Sequence, residues 1–223
     1  MNKVTVKRAT NDQQKEARRE AILSAARALF LEAGFFDVNM ASIAKRSGLA
    51  KGTVYLYFQT KEEIFLTLST EEFETWLDMF DKELIKAGSN LEIDAFLGVL
   101  QQVMHQRDVM KRLLSLLHLV LEKNISYDEA FAFKMNLKER SAKTSELVEK
   151  ALPFLERGQG IEVLTTLHCL IVGFGQMSDP SPVLARVLEH PELEAFRIDL
   201  EPRLIESLSL FLTGMKCRAE GKS

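Results

Sequence analysis

The chain has 223 residues, 46% hydrophobic and 27% charged, a balance that supports a packed soluble core and argues against disorder. Its net charge of −3 is unevenly spread: residues 1–66 carry 11 Lys/Arg against 7 Asp/Glu (net +4), the remainder 18 against 25 (net −7). A basic segment on an acidic body can meet nucleic acid with one end and hold the other away from it.

With only 5 prolines and 11 glycines, the chain reads as helical throughout. Met1 to Asn11 is polar and basic, without the apolar stretch of a secretory signal. No apolar run reaches the roughly 18 residues a membrane span needs, so a cytoplasmic protein without membrane contact is expected. A first helix is predicted over residues 11–33, where Ile22, Leu23, Ala26, Leu29, Phe30 and Ala33 form one apolar stripe and Gly34 stops it. A short second helix follows Asn39, a good N-cap, carries Ile43 and Ala44 inward and ends at Ser47-Gly48. A third covers Gly52 to Phe58. A fourth opens on Thr60-Lys61-Glu62-Glu63, which has the form of a capping box, and runs to Ala87. Further helices are expected over 91–106, 109–124, 127–152, 160–178 and 200–216, with a short one after Pro191. Breaks are expected at Pro153, Gly158-Gln159-Gly160 and Asp179-Pro180-Ser181-Pro182.

At about 100° per residue, Val54 and Phe58 of the third helix fall together and face helices one and two. Gly52, Thr53 and Leu56 take the opposite face, which is small and mixed. Such a face can approach base edges in a major groove, with Thr hydrogen-bonding and Leu touching a thymine methyl. Tyr55, Tyr57, Lys51 and Lys61 suit phosphate contacts, which position a protein without reading sequence. The pattern alone equally fits three packed helices with a solvated outer face.

The run Ala26-Arg27-Ala28-Leu29-Phe30, Ala33-Gly34-Phe35, Ile43-Ala44, Ser47 through Phe58 and Lys61-Glu62-Glu63-Ile64-Phe65 resembles the TetR (tetracycline-repressor) family. The resemblance covers about residues 18–66. It implies an all-α protein with an N-terminal three-helix helix-turn-helix domain (1–66) and a C-terminal helical domain (67–223) that binds an effector and dimerises. It places Thr53 and Leu56 on bases, Gly52 where close approach is needed, and Tyr55, Tyr57 and Lys61 on phosphates, with Lys51 able to reach either. Asn39 occupies the helix-two cap where the family commonly has Thr or Ser, and Ser42 keeps a hydroxyl nearby. Ala41 departs from the Arg or polar residue often found there, which removes one contact. Lys7, Arg8, Lys15, Arg18 and Arg19 can add phosphate or minor-groove contacts, or simply form a solvated helix face.

Beyond residue 66 no motif continues. Leu164, Leu167, Ile171 and Phe174 line one stripe, and Leu204, Leu208, Phe211 and Leu212 another; two such helices can pair with their symmetry mates as a four-helix bundle, Gly173 and Gly175 permitting close approach. The alternative is that both stripes face their own core. Trp76, Phe80, Phe96, Met104, Phe131 and Met135, with the polar His118, His168 and Gln176, are the candidate lining of a pocket for a small hydrophobic effector, although such residues also fill ordinary cores. Asn136 is a similar polar case. No cofactor or metal site is indicated: His105, His118, His168 and His190 lack zinc spacing, and Cys169 and Cys217 form no pattern. No catalytic motif is present, so the reading is a dimeric regulator, most simply a repressor, on palindromic double-stranded operator DNA. A helical small-molecule or protein-interaction module that does not use DNA is the alternative.

Overall fold

Among the described residues ten α-helices follow one another: α1 (Lys3–Asp37), α2 (Met40–Ser47), α3 (Lys51–Tyr55), α4 (Lys61–Ala87), α5 (Ile93–Met104), α6 (Asp108–Leu117), α7 (Tyr127–Ala151), α8 (Gln159–Ser178), α9 (Pro182–Leu188) and α10 (Leu200–Ala219). The computed structural model describes residues 3–105, 107–117, 120–123 and 125–221, with residues 3–11 as backbone alone. Among these residues there is no strand, as the composition requires.

The first three helices close around Ile22, Leu23, Ala26 and Phe30 of α1, Ile43 and Ala44 of α2, and Val54 of α3, all buried. Gly34 leaves the helical path (φ 78°, ψ 173°), yet one more turn carries the chain to Asp37. Asn39 caps α2: its Oδ1 accepts from the Ala41 and Ser42 amides, each at 3.0 Å. Its own amide donates to Ser42 Oγ at 3.1 Å, so a reciprocal box forms with serine in the place of the usual acid. Gly48 ends α2 in the left-handed region (φ 71°), turning the chain sharply into α3. The third helix is shorter than its apolar spacing implies. After Tyr55 the turn tightens, Tyr57 N donating to Val54 O at 3.0 Å, and this swings Phe58 into the core. At Thr60 half of the expected box forms. Glu63 N donates to Thr60 Oγ1 at 3.1 Å, while the Glu63 carboxylate accepts from Gln59 N at 2.7 Å.

α4 is unbroken from Lys61 to Ala87, so the division expected at residue 66 falls inside a continuous helix. Around it α5, α6 and α7 pack, and α8 lies against α6, α7 and α10. Two stretches hold more than the sequence pattern indicates. The apolar spacing over 109–124 predicts one helix; among the described residues α6 covers Asp108–Leu117 and a 3-10 turn covers Leu121–Lys123, while residues 118, 119 and 124 lie outside them. The Asp179–Pro182 stretch holds a helix start as well as a stop: Ser181 Oγ accepts from Leu184 N at 3.3 Å and Pro182 takes the first helical position of α9. α8 is also long and apolar enough, by length and composition, to cross a membrane, contrary to expectation; it carries Glu162 and packs among α6, α7 and α10.

Polar links fix the helices laterally. The buried Asp81 of α4 accepts from Thr144 Oγ1 at 2.6 Å and from Arg140 Nη1 at 2.9 Å, both on α7. Lys111 of α6 pairs with Glu201 of α10 at 2.6 Å and with Asp108 at 3.0 Å. Burial alone would lower the Lys111 pKa, but these two carboxylates outweigh it and raise it. α8 is held at both ends by contacts only glycine allows. A Cβ on Gly160 would stand 2.3 Å from the Ser145 carbonyl oxygen of α7, and one on Gly175 would stand 2.1 Å from Ser115 Oγ of α6.

The two contacts differ in kind, and this is testable by chemical denaturation. Gly160→Ala and Gly175→Ala are each expected to destabilise by about 1–3 kcal/mol. Adding Ser115→Ala should recover most of the Gly175→Ala loss, because the nearest atom is a hydroxyl. Adding Ser145→Ala should not rescue Gly160→Ala, because there the nearest atom is backbone.

Candidate nucleic-acid interface and effector cavity

α2 and α3 stand on the surface as a helix-turn-helix. On the outer face of α3, Lys51, Gly52 and Tyr55 are exposed and Thr53 is half-buried; Leu56, just past its end, is 81% exposed, far more than an apolar side chain held for packing. Lys51 Nζ lies 5.8 Å from the centre of the Tyr55 ring, so the two form one cationic-aromatic corner. Thr53, Leu56 and Tyr57 border a shallow depression with Lys15 and Arg18 of α1. A second depression joins Asn39, Ala41, Lys51, Tyr55 and Lys61 with Gln59, which sequence reading missed; Gln59 Nε2 donates to Tyr55 O at 2.8 Å.

Three of the expected DNA contacts have structural duties as well. Lys61 Nζ donates to Phe35 O at 3.0 Å and to Val38 O at 2.9 Å, and sits 4.2 Å from the Phe35 ring centre. It thereby satisfies carbonyls released where α1 ends, and two of its three donors are taken before any phosphate arrives. Asn39 and Ser42 are engaged with each other's backbone. Of the basic lead-in, Arg19 turns to Glu71 of α4 at 3.3 Å, away from α3. Burial pushes the Glu71 carboxyl above its ordinary value, and Arg19 opposes that rise. The side chains of Lys7 and Arg8 lie outside the described residues.

The cavity of about 470 Å³ lies between α4, α6, α7 and α8, in the size range of small-molecule sites. Its floor is made by Trp76 and Leu77 of α4, Leu114 and Leu117 of α6, and Leu167 and Ile171 of α8, all buried. Trp76, the only tryptophan of the chain, stacks on Phe80 at 5.7 Å. Lys134, Lys138 and Thr165 form an exposed lip.

Of the expected lining residues, Trp76 and His168 are there. Phe80, Phe96 and Met104 are not, because they fill the core behind it. Phe131 and Met135 point outward on α7, 56% and 37% exposed. Gln176 ties α8 to α6 through Ser115 O at 3.1 Å, and Asn136 ties α7 to Glu74 of α4 at 2.7 Å. His118 lies outside the described residues. Sequence reading missed Lys134 and Lys138, whose signal is a pair of lysines one turn apart beside Phe133 and Leu137.

The stripes expected at a dimer interface face inward instead. Leu167, Ile171, Leu204, Leu208 and Leu212 are buried within the chain's own core, and Leu164, Phe174 and Phe211 pack against it. Each fully buried leucine contributes about 1.5–3 kcal/mol, so the most apolar stripe goes to the protomer's own core first. Gly175 likewise serves an intrachain approach, to Ser115, and Gly173 faces open space. The outward flanks of the two helices carry Cys169, Gly173 and Met177 on α8, and Leu210 and Gly214 on α10.

Cavity and helix-turn-helix are joined by α6. Its Leu114 and Leu117 line the cavity, while Arg112, on the same helix, lies 4.8 Å from the Phe30 ring centre of α1 and 3.6 Å from Asp179.

Residues 22–68 match the family described as bacterial regulatory proteins of the tetR family, and residues 70–219 match the tetracyclin repressor-like C-terminal domain. Among curated proteins, the HTH-type transcriptional regulator QacR of Staphylococcus aureus is 35% identical over 74 residues, 33% of this chain and 39% of its own length. The fatty acid metabolism regulator protein of Bacillus subtilis is 32% identical over 71 residues, 32% of this chain and 37% of its own. The chain thus matches less than two-fifths of the length of either relative. Among solved structures, Thermus thermophilus FadR, a TetR-family transcriptional repressor in complex with lauroyl-CoA, superposes with a TM-score of 0.56 at 18% identity, over 87% of this chain and 93% of that one. The two family matches together cover the molecule from the first buried turn of α1 to the end of α10, and the chain belongs to the TetR family of transcriptional regulators.

Proposed function

We propose that this protein is a cytoplasmic dimeric repressor whose α3 reads the major groove and whose release from operator DNA follows occupation of the α4–α6–α7–α8 cavity by a small apolar molecule. The observation that carries the reading is α6, which walls the cavity with Leu114 and Leu117 and rests Arg112 on Phe30, in the core of the DNA-binding helices. A ligand that favours a shifted α6 biases the position of α1, and with it the angle at which α3 is presented. The acyl-CoA bound to Thermus thermophilus FadR supports an apolar-chain ligand for this cavity. Two copies joined through the outward flanks of α8 and α10 would set their α3 helices about 34 Å apart, one turn of DNA, on a palindromic site. Thr53 and Leu56 read bases, and Lys51, Tyr55, Tyr57, Lys15 and Arg18 hold phosphates.

Fluorescence anisotropy on DNA from upstream of the gene, against scrambled DNA, tests the interface. Thr53→Ala and Leu56→Ala should each relax discrimination by about 1–3 kcal/mol. Lys51→Ala or Arg18→Ala should weaken all sequences alike and reduce the salt slope by about one. Absence of any sequence preference in the unmodified protein would refute the operator reading. Arg112→Ala should leave operator affinity without ligand within about threefold but remove at least half of the coupling, typically 1–3 kcal/mol, between ligand and operator. Full retention of coupling would remove Arg112 from the route. Leu210→Glu, on the outward flank of α10, should convert a dimer to a monomer in light scattering and abolish tight binding to the palindrome. A dimer unaffected by that charge would place the interface elsewhere.

A further inference from the structure

We propose that the cavity takes an anionic amphiphile, its apolar chain laid against α4 and α6 and its negatively charged head on Lys138 and Lys134 at the α7 lip. This rests on the effector reading above and adds the ligand's charge and its orientation.

The wall is graded. Trp76, Leu114 and Leu117 make a buried floor without any charged group, whereas Lys134 and Lys138 are exposed and stand one helical turn apart on the same side of α7. Among the described residues the lining holds these two lysines and His168 but no carboxylate. A cationic ligand would meet two ammonium groups, only one of which, Lys134, has a carboxylate beside it. The polar atoms around the floor are the hydroxyls of Ser69 and Ser141 and the indole N–H of Trp76, so a charged head carried there would lose its water without meeting an opposite charge, which costs several kcal/mol. An anion therefore enters chain first and stops at the lip. The two lysines do not contribute equally. Lys134 is already paired with Glu122 at 2.6 Å. Among the described residues no carboxylate pairs with Lys138, which leaves it as the principal head-group cation. The long aliphatic stems of both lysines extend the apolar wall toward the head.

Both a fatty carboxylate and a phosphate-bearing acyl thioester present this chemistry, and the probes separate them. Trp76 lines the cavity and is the only tryptophan, so its fluorescence reports occupancy of the full-length protein directly. The probes are decanoate, dodecanoate, dodecanol, dodecyltrimethylammonium and dodecanoyl-coenzyme A. Dodecanoate should bind about tenfold more tightly than dodecanol, with the ammonium compound weakest. Dodecanoate should exceed decanoate by roughly 15-fold, from about 0.8 kcal/mol for each of the two extra methylenes. Lys138→Glu should lower dodecanoate affinity about tenfold, and Lys138→Ala about threefold, while dodecanol stays within about twofold. Tighter binding of the thioester than of the acid points to a phosphate-bearing head, and the reverse order to a free carboxylate; either supports an anionic head. Dodecanol binding as tightly as dodecanoate, or Lys138→Glu weakening both alike, overturns the proposal. Operator affinity measured on the same samples keeps the two readings apart. Charge-selective binding of dodecanoate that leaves operator affinity unchanged upholds the ligand and removes its role as effector.

Discussion

Between Ile64 and Leu84 the backbone of α4 makes about five to six turns without a break, and the two ends of that stretch are buried in different company. Near the start, Phe65 meets the rings of Phe30 and Phe35 at 5.5 and 5.1 Å, so this end belongs to the core of the DNA-binding helices. Near the far end, Phe80 packs edge-on against Phe96 of α5, and Asp81 is locked to α7 through Thr144 and Arg140. Along the middle, Glu71 and Glu72 reach Arg19 and Arg27 of α1. A helix cannot shorten without breaking its own hydrogen bonds. An unbroken α4 can move only as a unit between these two cores, and the Lys61 ammonium, bonded to the Phe35 and Val38 carbonyls, ties its start to the end of α1.

α6 offers a second, shorter connection running beside the first. It touches the cavity with leucines and the core of the first three helices with a guanidinium laid on a ring. A cation over an aromatic face tolerates small lateral displacement better than a bidentate ion pair does, because the attraction depends on the ring as a whole. The Arg112–Phe30 contact thus suits a sliding joint, whereas the Arg46–Glu32 pair, with bonds of 2.7 and 3.1 Å, fixes α2 to α1 firmly.

The helices and the outward face of α3 were largely legible because they depend on local rules. Asn39, Gly48 and Thr60 act where their chemistry predicts, and Val54 and Phe58 turn inward as their spacing requires. What could not be read depends on tertiary company. Leu204 and Leu208 have the spacing of an interface stripe, but spacing does not say which apolar surface lies opposite, and the chain's own core claimed them. Phe80 and Phe96 are as apolar as Trp76; only the position of α4 relative to α6 decides that the indole edges the cavity and the phenyl rings do not. Lys61 was legible as a cation near the DNA face, but its two carbonyl partners lie 23 and 26 residues upstream. Lys134 and Lys138 look like any solvated pair on a polar helix until α8 is placed beside them.

The glycine contacts at Gly160 and Gly175 have a consequence for size. They pin α8 at points 15 residues apart, about 22 Å along its axis, and the cavity-lining stretch runs between them. With Ser145 of α7 against one end and Ser115 of α6 against the other, neither end of that wall can move closer to its neighbour without a backbone shift or a displaced side chain. These contacts set the least width of the space between the helices, and widening it requires α8 to move outward from α6 and α7.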